Sequence, residues 1–208
     1  MSRYIGSVCK LCRREQTKLF LKGDKCYTKC VLEKRPGIPG MAKPQRGKPS
    51  EFAIRLREKQ KLRRMVLMNE TPFEHLVENA SKSSLSSGEH LLRSLEMRLD
   101  NIVRKVGFAT SLKTARQLVL HQHIKVSGKV VNIPSYAVKA GDVISLDPKL
   151  KENVGVKLSL DTATRQASRP SYLEFNAMEL SGKVLRVPAR AEMSFPVTEQ
   201  LIIEYYSK

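Results

Sequence analysis

The stretch 98-RLDNIVRKVGFATSLKTARQLVLHQHIKVSGKVVNIPSYAVKAGDVISL-146 decides the fold, because the hydrophobic period changes inside it. Up to Gly107 the period is helical. Leu91, Leu92, Leu95, Leu99, Ile102, Val103 and Val106 recur at helical spacing, which predicts one helix rising from Gly88 and ending at Gly107 as its C-cap. Thr110 or Ser111 then caps a second helix that buries Leu112, Ala115, Leu118 and Val119. From Ile124 onward short β-branched pieces, IKV, VVNI, Tyr136 to Val138 and VISL, alternate with turn residues at Ser127-Gly128 and Ala140-Gly141-Asp142. Two helices followed by a small antiparallel sheet make an α+β unit.

Upstream, Ser50 caps a helix reaching about Met68, with Phe52, Leu56, Leu62 and Val66 on one side and Arg57, Lys59, Lys61, Arg63 and Arg64 crowding the rest. Thr71-Pro72-Phe73-Glu74 reads as a capping box with proline at the first helical position, so a second helix is expected there, running out into SKSSLSSG. Downstream, residues 153–190 read as further short strands and turns ending in GKVLRVP. The terminal TEQLIIEYYSK fits a closing helix whose Leu201, Ile202 and Tyr205 pack on the helices before residue 107. The expected organisation is a cysteine-containing knuckle and arm over 1–49, a helical domain over 50–97 completed by 190–208, and an α+β domain over 98–189.

Charge points to the partner. The 208 residues carry 38 Lys and Arg against 20 Asp and Glu, a net charge of +18, while 41% hydrophobic residues suffice for a proper core. A folded protein this cationic is drawn to a polyanion. Residues 1–50 hold 13 basic against 3 acidic groups, so more than half of the surplus lies in the first quarter. From Glu33 to Ser50 the chain is rich in Pro, Gly and base, which denies it helix or central strand and predicts an extended arm. Arg35, Lys43, Arg46 and Lys48 on that arm, with Lys10, Arg13 and Arg14 beside the first cysteines, are candidate phosphate contacts. A membrane surface would call for a basic amphipathic helix with bulky apolar residues opposite, which this segment lacks. No stretch approaches the roughly 18 to 20 apolar residues of a membrane span, and MSRYIGSVCK has no apolar run of a secretory leader, so a cytoplasmic protein is expected.

All four cysteines fall in the first thirty residues, as Cys9-x-x-Cys12 and Cys26-x-x-x-Cys30. Paired short spacings bring two thiolates from each turn to one ion, the pattern of a closed structural zinc site; an iron–sulfur cluster would use the same four ligands. Disulfides suit a cytosolic chain poorly. The segment also has too few apolar residues to fold unaided, and coordination would supply the missing stability.

The stretch 98–146 resembles the RNA-binding module named after small-subunit ribosomal protein four. With LREKQKLRR at 56–64, EQLIIEYYSK at 199–208 and the four-cysteine start, nearly the whole chain is similar to the bacterial-type, zinc-binding form of that ribosomal protein family. The resemblance implies a primary binder of small-subunit ribosomal RNA that nucleates assembly of the 5′ domain and supports translational accuracy near the messenger entrance. It also implies protein five as a neighbour, no self-association in the working state, and a helical domain closed by the returning C-terminus around an inserted RNA-binding module. Carried over by position, Lys105, Ser111, Lys113, Arg116, Gln117, His121, His123, Lys125 and Lys129 would lie on or beside the RNA-facing side of that module, and Arg57, Lys59, Lys61, Arg63 and Arg64 would face RNA from the helical domain. The chain departs from the family where Val66-Leu67 replace a common Tyr-Gly, Gln122 a glycine, Tyr172 a tryptophan and Ala191 an acid.

Two other classes compete. The same module is appended to pseudouridine synthases, and Arg98-Leu99-Asp100 spells the tripeptide that carries their catalytic aspartate, but no separate catalytic domain of some 150 residues remains, so no enzyme is expected. A zinc-dependent DNA regulator would need a recognition helix behind its ligands, where KRPGIPGMAKP cannot form one. His121-x-His123 reads as RNA contacts or surface groups rather than a metal site. Structured RNA is the polyanion of choice because its shallow groove and junctions are read by shape and phosphate over a broad surface. With 6% aromatic residues and no Trp, base stacking is expected to be secondary.

Overall fold

Residues 4–40, 48–83, 86–165 and 169–207 are described by a computed structural model of the protein. The chain divides into one unit of Met1–Leu92 with Ser194–Lys208 and another of Arg93–Met193.

In the first unit, helices α1 (Val8–Glu15), α2 (Lys25–Thr28) and α3 (Val31–Lys34) belong to the cysteine segment, followed by α4 (Glu51–Met65), α5 (Glu70–Ser81) and the start of α6 (Ser87–Glu96). Ser50 caps α4 as expected, its hydroxyl accepting the Ala53 N–H at 3.3 Å, with Glu51 in the first turn and Arg63 and Arg64 in the last to complement the helix dipole. The second helix starts earlier than the Thr71 capping box predicts. Asn69 is its N-cap and Glu70 its first residue, so Pro72 falls within the first turn, where its missing N–H costs nothing. The closing helix, α10 (Glu199–Tyr206) by position in the chain, returns against α4. Leu62 and Ile202 are fully buried, and Phe52 meets the Tyr205 ring at 5.6 Å.

The second unit corrects the sequence reading at two helices, and of the expected strands VVNI and Tyr136 to Val138 only Val130 lies in a strand, with Ala137 in an isolated bridge. The predicted long helix is two, α6 and α7 (Leu99–Val106), because the chain between them is extended at Arg98 and bridges Ala137. That break satisfies the donors a helix start leaves open: the Leu99 N–H donates to the Tyr136 carbonyl at 2.9 Å and the Asp100 N–H to that of Pro134 at 3.1 Å. The apolar spacing survives the break, and every one of the seven residues from Leu91 to Val106 is buried. The second correction is α9 (Val154–Arg165), a helix where strands and turns were expected.

Between them stand α8 (Leu112–Leu120), capped by Ser111, and one antiparallel sheet of β1 (Ile124–Val126), β2 (Lys129–Val130), β3 (Val143–Leu146), β4 (Leu173–Asn176) and β5 (Ser181–Val184) in the order β2-β1-β3-β5-β4. Ser127 (φ 47°) and Gly128 (φ 83°) both take the left-handed conformation that a two-residue hairpin turn requires, which sets the register Lys125 to Val130 and Val126 to Lys129. Ile124, Val126, Ile144 and Leu146 point into the core with Ile102, Val103, Val106, Ala115 and Val119, leaving Lys125 on the opposite face. Gly182 lets α7 lie close to the sheet, since a side chain there would begin 2.6 Å from Val106.

Candidate nucleic-acid interface

The outward edge of α8 and the β1–β2 hairpin carries unneutralised charge. Lys113, Gln117 and His121 are exposed and spaced four apart, so they share one helix face. Lys129 is exposed at the hairpin turn, Lys125 and His123 are half-buried, and the His121 and His123 rings lie 6.1 Å apart. Lys113, Lys125 and Lys129 form no salt bridge among the described residues. Two members of the predicted set belong to the scaffold instead. Ser111 is buried and spends its hydroxyl as the α8 cap, accepting the Thr114 N–H at 3.2 Å. Lys105 is buried against Glu96, in a group where Tyr172 donates to the same carboxylate at 2.7 Å and Asn101 at 3.1 Å. Burial holds the Lys105 amine well below its usual pKa, and pushes the Tyr172 phenol up.

Asp100 is 1% exposed and shared by Arg98, at 3.0 and 3.1 Å, and Arg116, at 2.7 Å. A carboxylate committed to two guanidiniums is a clamp. It fixes Arg116 at the rim of α8.

The cations of α4 were expected to face RNA, and the structure gives them internal partners. Arg57, at 3.2 Å, and Arg64 both bind Glu15 of α1, whose side chain is 2% exposed and whose carboxyl is pushed up by burial against the opposing pull of those arginines. Arg63 bonds to Gln60 at 2.6 and 3.0 Å and reaches Glu70 at 3.4 Å, and Lys61 meets Glu58 at 3.3 Å. Lys59 leaves the RNA-facing set, because it is buried, 2.6 Å from Glu70 and 4.4 Å from the Tyr205 ring centroid. Burial would lift the Glu70 carboxyl, but hydrogen bonds from Lys59 and Tyr206 outweigh it and hold it low. Arg57, Lys61, Arg63 and Arg64 remain partly exposed, and a guanidinium holding one acid keeps further donors.

On the N-terminal segment, Lys10, Arg14, Arg35 and Lys48 are exposed, whereas Arg13 is half-buried and its Nε donates to the Gly37 carbonyl at 2.8 Å. Lys43 and Arg46 lie outside the described residues. Lys22, Lys25 and Lys29 are exposed and were not among the predicted contacts, although the charge count alone points to them.

Cys9 and Cys12 sit three apart on α1, Cys26 on α2 and Cys30 just before α3, all four as free thiols. Burial raises the Cys12 and Cys26 thiols, and negative charge on the other cysteines raises both further, so the sulfurs feel one another. The Lys22 N–H points at the Cys26 sulfur, 3.3 Å away. Such a set of sulfurs suits a soft four-coordinate cation in chemical type. No group of three or more Cys, His, Asp or Glu among the described residues is placed to hold a metal ion as it stands.

Residues 3–96 match the family model described as Ribosomal protein S4/S9 N-terminal domain, and residues 97–144 the S4 domain. Small ribosomal subunit protein uS4 of Thermodesulfovibrio yellowstonii is 49% identical over 209 residues, spanning 100% of both chains. The chain belongs to the uS4 family. Protein uS4A of Symbiobacterium thermophilum matches at 49% and uS4 of an Anaeromyxobacter species at 46%, again over 100% of each chain. The uS4 family is one of structural, non-enzymatic proteins. Its two matched segments meet at residues 96 and 97, where the chain leaves α6 for the extended turn before α7.

Proposed function

We propose that this uS4 family member is a structural constituent of the small ribosomal subunit that binds ribosomal RNA as a primary assembly protein of the 5′ domain. The observation that carries this reading is identity near one half over the full length of proteins so named. The surplus charge supports it physically, because Lys113, Lys125 and Lys129 form no salt bridge among the described residues, whereas Glu15 and Glu70 are committed to cations of α4 and Glu96 to Lys105 of α7. The finer reading follows the family resemblance: a place near the messenger entrance, protein five as neighbour, a role in translational accuracy, residence in the cytoplasm, and one copy per subunit.

The same proposal assigns a structural zinc ion to Cys9, Cys12, Cys26 and Cys30, with an iron–sulfur cluster as the alternative cargo of these thiols. The metal would neutralise thiolates that otherwise repel one another. Zinc, iron and labile sulfide measured per purified chain distinguish the two.

Binding to a 5′-domain RNA fragment tests the central claim. Neutralising on the order of six to ten phosphates weakens binding by about 10³ to 10⁵ between 50 and 200 mM salt. A nearly flat salt dependence defeats the electrostatic account.

A further inference from the structure

Phe20 and Tyr27 stand exposed on the cysteine segment, at 38% and 55%, with ring centroids 5.0 Å apart and planes at 31°. They serve no core, since Leu19 and Leu21 on either side of Phe20 are the buried residues, at 4% and 2%. Phe20 also has φ of 50°, a left-handed backbone that a bulky side chain rarely adopts. Both local rules are broken at one residue: glycine or asparagine would suit that backbone, and a polar side chain would suit that exposure. Such double violations concentrate where a surface has work to perform. The charge around the rings names the ligand. Lys22, Lys25 and Lys29 are exposed and form no salt bridge among the described residues, and Asp24 is the one acid between Gln16 and Leu32.

We propose that Phe20 and Tyr27 form a stacking platform for an unpaired base of RNA, with Lys22, Lys25 and Lys29 receiving the adjoining phosphates. Aromatic faces bind any base, and lysines on the same segment supply the backbone attraction that a neutral or cationic protein partner would not use. The platform rests on the ribosomal RNA reading and deepens it by adding a base contact to what is otherwise phosphate recognition.

Full-length chain carrying Tyr27→Leu, Phe20→Asn or Tyr27→Phe is titrated with the 5′-domain RNA fragment at several salt concentrations. Tyr27→Leu keeps apolar bulk and loses the π-face, and Phe20→Asn suits the left-handed backbone, so circular dichroism and the melting midpoint stay those of the parent. Each of these two weakens binding about tenfold, as the loss of one stacked base does, while Tyr27→Phe binds like the parent. The slope of log affinity against log salt stays unchanged, because a stacked base releases no counterions. Parental affinity in both variants overturns the platform. A loss that comes with a shallower slope also overturns it, since the rings then merely hold the lysines in place. If the parent chain itself shows no salt-dependent binding, the ribosomal RNA reading falls first and the platform with it.

Discussion

Leu67 and Gln122 occupy the same backbone position at the ends of two helices, yet a glycine substitution has opposite effects at the two. After α4 the Leu67 N–H donates to the Arg64 carbonyl at 3.2 Å and the Met68 N–H to that of Arg63 at 3.1 Å. After α8 the Gln122 and His123 N–H groups donate to Val119 and Leu118, both at 3.0 Å. Each is the paired closure that puts one residue in the left-handed region, at φ 49° for Leu67 and 63° for Gln122, where Gly107 stands after α7 with φ 105°. These are the two positions where the family resemblance leads one to expect glycine, so the departures have a local cost of roughly 1–2 kcal/mol each. Gln122 is exposed, so Gln122→Gly relieves strain at the expense of a more flexible unfolded chain, about 0.4–1 kcal/mol. The net is a gain of about 0.5–1 kcal/mol, read as a higher denaturation midpoint. Leu67 is 6% exposed, and truncating a buried leucine costs about 2–5 kcal/mol, which exceeds the strain released. Leu67→Gly therefore lowers the midpoint, and equal signs for the two substitutions would refute this division between strain and burial.

At the scale of elements, the helices and hairpin with clean signals were legible: the Ser50 and Ser111 caps, the Gly107 stop and the Ser127-Gly128 turn each follow from side chains within a few residues. What was not legible depends on partners far along the chain. Nothing in residues 96–99 announces that the segment around Ala137 will receive their backbone groups, so the apolar spacing read through the break. The α9 sequence VGVKLSLDTATR mixes glycine, β-branched and polar residues and becomes helical by burying Val156, Ser159 and Ala163. Lys105 is placed by the family resemblance beside the RNA-facing side of the module. Its position among Ile102, Val103 and Val106 on an apolar helix was the signal that it faces inward, toward Glu96. That group ties the end of α6 to α7 and to Tyr172 before β4. Lys105→Met leaves the Glu96 carboxylate buried without its cation and costs about 3–5 kcal/mol. Adding Glu96→Gln removes the orphaned charge, so the double variant recovers part of the loss in urea unfolding. A double variant no more stable than Lys105→Met alone would mean the damage is to packing, not to charge.

For the whole molecule, acids and surplus bases have divided the work. Glu15 clamps α1 to α4, Glu70 holds Lys59 and Tyr206 together, and Asp100 fixes two arginines, whereas Lys22, Lys25 and Lys29 on the knuckle and Lys113, Lys125 and Lys129 on the α8 edge form no salt bridge among the described residues. The weak point is the cysteine segment, whose core comprises little beyond Val8, Leu19 and Leu21 with the Cys12 and Cys30 sulfurs. Some thirty residues with so little apolar surface cannot meet the entropy of ordering themselves, and the Glu15 clamp fixes one helix, not the turns that follow it. Coordination in comparable modules contributes on the order of 10–16 kcal/mol, enough to decide whether the segment folds. If the proposed ion is bound there, Cys26→Ser with Cys30→Ser leaves two of its four ligands and removes that contribution. Amide exchange then loses protection over residues 8–34, while the α7–α8 helices and the sheet keep theirs, since their core is built wholly from residues 97–184. Chelation of the parent chain produces the same pattern. Full protection over residues 8–34 in both experiments would mean that Val8, Leu19, Leu21 and the Glu15 clamp suffice, and that the four thiols hold no structural ion.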